Sequence, residues 1–305
     1  MPEEDPLKFW LNPDDKTSFE HARLLTAHYS KSFYFSARML PTERRWATYA
    51  LYGFCRYADN LIDNPRSRTT EELLTEVEHL TQELKVAYRT GESENPVIGP
   101  FVVVALKYGI PIEYPLDLLK GVVMDVQNTR YETFDDLYVF CYRVAGVVGL
   151  MMTYVLGYKD KAAFEYAENL GIAMQLTNIL RDIQEDKEMG RIYLPLEDLR
   201  RYGVTEEDII EERKSVQLRR MVKFQVQRAH RYYEEADKGI VMLHRKSQFA
   251  ILSASKIYRG ILLKIEARDY NPFLGRVFVS QMKKVAILIR EVLRTRVFAF
   301  TEAFD

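Results

Sequence analysis

Sulfur chemistry is almost missing from this chain. Its 305 residues include only two cysteines, Cys55 and Cys141, both in apolar surroundings. That supports neither a disulfide framework nor a cysteine-based zinc site, and it fits a reduced, cytoplasmic setting. A dominant charge is missing too: the formal net charge is −1 and the pI about 6.6. No global field draws the protein to nucleic acid or an anionic membrane, although a local basic cluster can still grip an anion. The opening MPEEDPLKFW is acidic and lacks an apolar centre, so it reads as neither a signal peptide nor a transit peptide. The most apolar run, VAGVVGLMMTYVLG at 144–157, falls short of the roughly 20 residues of a spanning helix and reads as a core helix. A transmembrane anchor is therefore not expected, while peripheral membrane contact stays open.

Proline is missing between Pro115 and Pro195, and again between Pro195 and Pro272. Within those stretches apolar residues recur at three- and four-residue spacing, the period of a helix. ELLTEVEHLTQELKVAY (72–88) is amphipathic, with charges between its apolar positions. DDLYVFCYRVAGVVGLMMTYVLG and FEYAENLGIAMQLTNILRDIQED are richer in apolar residues and read as inner helices. SVQLRRMVKFQVQRAHRYYEEADKGIVML and QFAILSASKIYRGILLKIEARDY continue the pattern. No alternating run demands a sheet, and no repeat or long linker divides the chain. The expectation is an all-α fold in one domain, 1–305, with ample residues for a large core.

Nucleophiles in a recognisable setting are lacking as well. There is no P-loop, kinase signature, serine–histidine pairing or cysteine nucleophile, and the five histidines are scattered. What the chain has is acid in two unusual places. GFCRYADNLIDNP (53–65) sets Asp59 and Asp63 one helical turn apart. Such pairs are common on solvated faces; 44 acids give about six by chance. Here the neighbours decide. Tyr52, Arg56, Asp59 and Asp63 share one helical face, while Leu51, Phe54, Cys55, Ala58, Leu61 and Ile62 fill the others. A helix apolar nearly all round is buried, so its polar stripe faces an interior cleft.

A second stripe lies in QLTNILRDIQEDKEMGRIYLP (175–195), where Gln175, Asn178, Asp182, Glu185 and Asp186 share a face. If the two stripes face each other, they form a set of hard oxygen ligands without His or Cys, which suits Mg²⁺ or Mn²⁺ better than zinc. Mg²⁺ commonly keeps waters and shares its sphere with substrate phosphates, so a phosphorylated substrate follows. Arg56, Arg181, Arg191 and Lys31 lie in or near the stripes and suit phosphate oxygens. Core packing explains most of the aromatic residues Phe33, Tyr34, Phe35, Tyr49, Tyr52, Tyr142 and Tyr258. Beside a diphosphate, however, aromatic faces can stabilise a carbocation, and an apolar cavity keeps water from it. Metal-assisted ionisation of a prenyl diphosphate is the reaction class that joins these parts.

SKSFYFSARMLPTERRWATYALYGFCRYADNLID together with QLTNILRDIQEDKEMGRIYLPLEDL resembles the squalene/phytoene synthase family of head-to-head prenyl transferases. GVVMDVQNTRYETFDDLYVFCYRVAGVVGLMM is similar to phytoene synthases, and FAILSASKIYRGILLKIEARDYNPFLGRVFV to the family's last helices. The likeness spans about residues 18–290. It implies an all-α isoprenoid-synthase helical bundle with a central cavity between two Mg²⁺-binding acidic motifs. By match, Asp59 and Asp63 form the first motif and Asp182 and Asp186 the second, supported by Gln175 and Asn178. Arg56, Arg181 and Arg276 match diphosphate-contacting positions. Ser32, Phe33, Tyr52, Tyr142, Tyr193 and Tyr258 match site-lining positions, and Asp125 matches a further acidic one. Many relatives carry an acid where this chain has Asn60; on a helix that position points about 100° from Asp59.

The resemblance implies 1-1' coupling of two prenyl diphosphates through a cyclopropylcarbinyl diphosphate, then a second ionisation, rearrangement and proton loss. Reductive squalene synthases use NADPH, and this chain shows no dinucleotide fingerprint, so no NADPH is expected. Ala37, one turn past Phe33, is small where C30-forming relatives tend to be bulky, which suggests a deep tunnel for geranylgeranyl chains. Phytoene synthesis leads; a C30 dehydrosqualene, hydroxysqualene or squalene synthase using farnesyl diphosphate is the alternative. A non-catalytic assembly protein of the same fold is the alternative of another class, disfavoured because a scaffold has no reason to keep four such aspartates.

Overall fold

The computed structural model describes residues 8–12, 15–63 and 68–301, with the side chains of 62–63 and 292–301 outside that description. Among the described residues, the regular elements are helices, joined by two isolated bridges, Arg130 with Ile192 and Tyr158 with Leu243. In chain order they are α1 (Lys16–Tyr29), α2 (Lys31–Ala37), α3 (Thr42–Asp63), α4 (Thr70–Thr90), α5 (Ile98–Tyr108), α6 (Glu113–Gln127), α7 (Phe134–Cys141), α8 (Val147–Leu156), α9 (Ala163–Glu188), α10 (Leu196–Tyr202), α11 (Glu206–Ile210), α12 (Val216–Gly239), α13 (Arg245–Ala267) and α14 (Gln281–Thr301). The all-α expectation is met among the described residues.

Local sequence explains the boundaries. Thr69 accepts from the Glu72 backbone N–H while the Glu72 carboxylate accepts from the Thr69 N–H, so α4 starts on a reciprocal cap. Thr133 with Asp136 and Thr205 with Asp208 do the same for α7 and α11. The spacing in 72–88 appears as a buried stripe of Leu73, Val77, Leu80, Leu84 and Ala87.

The apolar stretch around 144–157 is longer than its sequence suggests. α7, a π turn over Tyr142–Gly146 and α8 run on without a break, giving one apolar helix, Phe134–Leu156, of 23 residues. Its length and composition would reach across a bilayer, but it packs into the core against α6 and α9 and more than half of its apolar window is buried.

The bundle is organised on α9, which packs against α8, α12 and α13. With 26 residues it is about 39 Å long. Where α8 and the π turn cross it, backbone meets backbone: a Cβ on Gly171 would lie 2.2 Å from the Ala145 carbonyl oxygen, and one on Gly149 equally close to that of Ala167. No side chain fits there, so these glycines fix how near the two inner helices come. Gly171→Ala and Gly149→Ala should each cost about 3 kcal/mol or more, read as a lowered denaturant midpoint at constant m-value. An unchanged midpoint would show that the crossing is not tight.

Candidate active site

The first stripe lies on α3. Leu51, Phe54 and Ala58 are fully buried, and Cys55 nearly so, which leaves Tyr52, Arg56 and Asp59 on the half-buried polar face. Phe33 on α2 stacks on Tyr52 with ring centroids 5.0 Å apart, and the Arg56 guanidinium lies 4.5 Å above the ring of Tyr29. Burial, then the proximity of Tyr258, pushes the Tyr52 hydroxyl up, while Arg56 draws it down. Asp59 is another of its charged neighbours. Ser32 is half-buried beside Phe33, and Ala37 is buried at the end of α2. Asp63 closes α3, but its side chain lies outside the described residues.

The second stripe lies along the C-terminal half of α9. The Asn178 amide donates to Gln175 Oε1 at 3.2 Å, and the Tyr258 hydroxyl donates to Asn178 Oδ1 at 3.4 Å. Arg181 grips both oxygens of Asp182 at 2.7 and 2.5 Å, and Arg276 reaches the same carboxylate at 3.1 Å. Tyr258 on α13 thus neighbours Tyr52 of the first stripe and Asn178 and Arg181 of the second. It is the residue through which the stripes meet.

Asp125 joins this group from α6. It is buried, accepts from the Tyr193 hydroxyl at 2.5 Å, and pairs with Arg191 at 3.3 Å. Backbone pairing brings these partners in: Ile192 N–H donates to the Thr129 carbonyl and Leu196 N–H to that of Tyr131, zipping the segment after α9 along the segment after α6. Asp186 lies between the two helices' charges. Burial first, then repulsion from Asp182 and Asp125, pushes its carboxyl up to about 8, against the pull of Arg191. Burial and Asp182 also raise Glu185, whose Oε2 is buried without a hydrogen-bond partner. A narrow pocket lined by Asp186, Arg191, Tyr193 and Ile183 opens beside them.

Tyr142 has neighbours of its own on α6 and α9. The π turn and the contact of its ring with Gly146 set it among Asp117, Glu168 and Tyr114. Phe140, which sequence reasoning passed over, stacks instead on Tyr193, with centroids 5.4 Å apart and planes at 15°. Tyr131 stacks on Tyr193 and lies tilted against Phe140.

Comparison with known proteins places this architecture. The squalene/phytoene synthase family signature matches residues 26–283. The chain belongs to the squalene/phytoene synthase family. Among curated relatives, a phytoene synthase of Arthrospira platensis is 38% identical over 92% of this chain and 94% of its own length. A 15-cis-phytoene synthase of a Synechocystis strain is 37% identical over 92% of this chain and 86% of its own. Of solved structures, a dehydrosqualene synthase bound to a ligand superposes with a TM-score of 0.86 at 32% identity, covering 95% of this chain and all of that one. A squalene synthase of Alicyclobacillus acidocaldarius gives 0.79 at 25% identity over 86% and 98%. Like the rest of the squalene/phytoene synthase family, the protein is a prenyltransferase.

Does the donor set fit a divalent cation? Among the described residues no three acidic, histidine or cysteine side chains converge at metal-binding spacing. The chemistry nonetheless suits one. The donors are all oxygen, Asp186 and Glu185 are destabilised as anions by like charge, and the buried Glu185 Oε2 is orphaned.

The sign of the Asp186 shift gives a test. Its folded pKa lies above the unfolded value, so its contribution to stability is full below about pH 4 and is lost as pH rises through about 8. Asp186→Asn should therefore raise the melting temperature of the metal-free protein at pH 8 and change it little at pH 4. Mg²⁺ should raise the wild-type melting temperature more than that of the variant. Equal melting of the two proteins at pH 8 would contradict the buried-repulsion account.

Proposed function

We propose that the protein condenses two geranylgeranyl diphosphates head to head, through a cyclopropylcarbinyl diphosphate, to phytoene in carotenoid biosynthesis, with Mg²⁺ and without NADPH. The observation that carries this reading is the meeting of the two acidic stripes through Tyr258, with Arg56, Arg181, Arg191 and Arg276 around them. The phytoene synthases among its relatives support the C40 product.

Asp59, Asp182 and Asp186 would hold the cation, with Asn178 and Asp125 supporting and Asp63 joining by its place in the motif. When bound, the ion supplies positive charge to the departing diphosphate. The chain's own residues do the rest. Arg181 and Arg276, now on Asp182, and Arg56, over Tyr29, are the cations that can turn to diphosphate oxygens. Gln175 and Asn178 form a polar pair beside Tyr258 that orients the diphosphate end. The stacked faces of Phe33 and Tyr52 stand where a cation can be stabilised, and the apolar helices around them keep water out.

The first C1–O bond breaks with its electron pair leaving on diphosphate. The resulting cation bonds to the double bond of the second substrate, and proton loss closes the cyclopropane. A second C1–O cleavage, rearrangement and another proton loss give the triene-centred product, so no reductant is consumed.

The 32%-identical dehydrosqualene synthase structure favours a second reading, C30 synthesis from farnesyl diphosphate. One incubation separates them. Geranylgeranyl diphosphate with Mg²⁺ and no NADPH should yield a C40 product; turnover of farnesyl diphosphate alone, or a need for NADPH, would overturn the assignment. Ala37 is buried one turn beyond Phe33, and Ala37→Phe should shift preference toward the C15 substrate. Unchanged C20 preference would remove Ala37 from the tunnel. Asp59→Asn and Asp182→Asn should each lower diphosphate release by about 100-fold or more with helicity intact. Release at the wild-type rate in either would remove that aspartate from the site.

A further inference from the structure

The last helix presents an apolar stripe that stays exposed among the described residues. Met282 is 85% exposed, Val285 45% and Ile289 56%, and Phe278, just ahead of α14, is 65% exposed. Met282, Val285 and Ile289, at steps of three and four, share one face of α14, and Phe278 precedes them in the chain. The opposite face of α14 is the one that docks: Lys284 and Glu291 are buried, and Ile287 meets Gly260 of α13. Isolated exposed apolar residues need no explanation, but a row of three on one helix, with a fourth just ahead of it, does.

The charge around the stripe says what it meets. From 273 to 301 the chain has Arg276, Lys283, Lys284, Arg290, Arg294 and Arg296 against one acid, Glu291, although the protein as a whole carries −1. Lys283 and Arg290 are exposed beside the stripe. An isologous contact with a second copy would set this basic segment against itself. An apolar row flanked by Lys and Arg is instead the pattern of a helix lying in a lipid interface.

We infer that α14 with the preceding Phe278 is a docking face for an anionic lipid surface, its apolar row entering the acyl boundary and Lys283 and Arg290 meeting headgroups. The segment is tied directly to the acidic site. Arg276 pairs with Asp182 at 3.1 Å, and the Gly275 N–H donates to Gln184 Oε1 at 3.2 Å. Docking there places the second acidic motif close to the lipid, a short path for a diphosphate with a long apolar tail. The surface itself is inferred independently of which prenyl diphosphate reacts.

The test is co-sedimentation of the full chain with vesicles, read without turnover. The wild type should bind mixed phosphatidylcholine–phosphatidylglycerol vesicles far better than pure phosphatidylcholine. Lys283→Gln with Arg290→Gln should weaken that binding roughly 30-fold, at about one factor of five per charge. Met282→Asp with Ile289→Asp should abolish it while leaving the melting curve and diphosphate release in detergent solution unchanged, since both side chains are exposed. Absence of binding to anionic vesicles, or wild-type binding by the variants, overturns the inference. So does a concentration-dependent dimer in light scattering that the Met282→Asp, Ile289→Asp variant splits, which would give the stripe to a second copy.

Discussion

Like charge packed into a helical interior is the constraint on which this molecule turns. Asp125, Asp182, Glu185 and Asp186 gather at one end of α9, where burial and the charges of Asp182 and Asp125 oppose the ionisation of Asp186, and burial and Asp182 oppose that of Glu185. The surroundings answer them with cations and donors from several elements: Arg181 on α9, Arg191 and Tyr193 after it, and Arg276 beyond α13. Each of these depends on a larger feature of the fold. The backbone pairing of 192–197 with 129–132 delivers Arg191 and Tyr193, and the glycine crossing of α8 with α9 sets the distance between the inner helices. Apolar packing along α9 offsets the unfavourable acid cluster, and the repulsion that remains is what a divalent cation would relieve, leaving positive charge for a diphosphate to meet.

Much of this was legible in the sequence because burial and polarity alternate at helical period. The stripe Leu73, Val77, Leu80, Leu84 follows from spacing alone, and so does the inward turn of Asp59 on an otherwise apolar helix. The two acidic stripes could be paired because each was the exception on a buried helix. The geometry between elements was not legible. Spacing gives the faces of α3 and α9 separately, but not that Tyr258 of α13 stands between them. Nor does it show that Arg191 reaches Asp125, which depends on two loops zipping together.

Tyr142 marks the limit most clearly. An unbroken α-helix from 134 to 156 would carry the aromatic residues on at a constant angle, and the π turn at 142–146 breaks that angle. The turn sits where Gly121, Gly146 and Gly171 allow close packing, a tertiary cause that no local window contains. Phe140, before the turn, meets Tyr193, and Tyr142, at its start, is set near Glu168 and Tyr114.

The central claim is that α3 and α9 act on one diphosphate as a single cation-holding unit. Calorimetric titration of inorganic pyrophosphate, with and without Mg²⁺, tests it through the wild type, Asp59→Asn, Asp182→Asn and the double variant. A shared site predicts Mg²⁺-dependent binding in which either single substitution costs nearly as much as both together. Binding that needs no Mg²⁺, or losses that simply add, would contradict it.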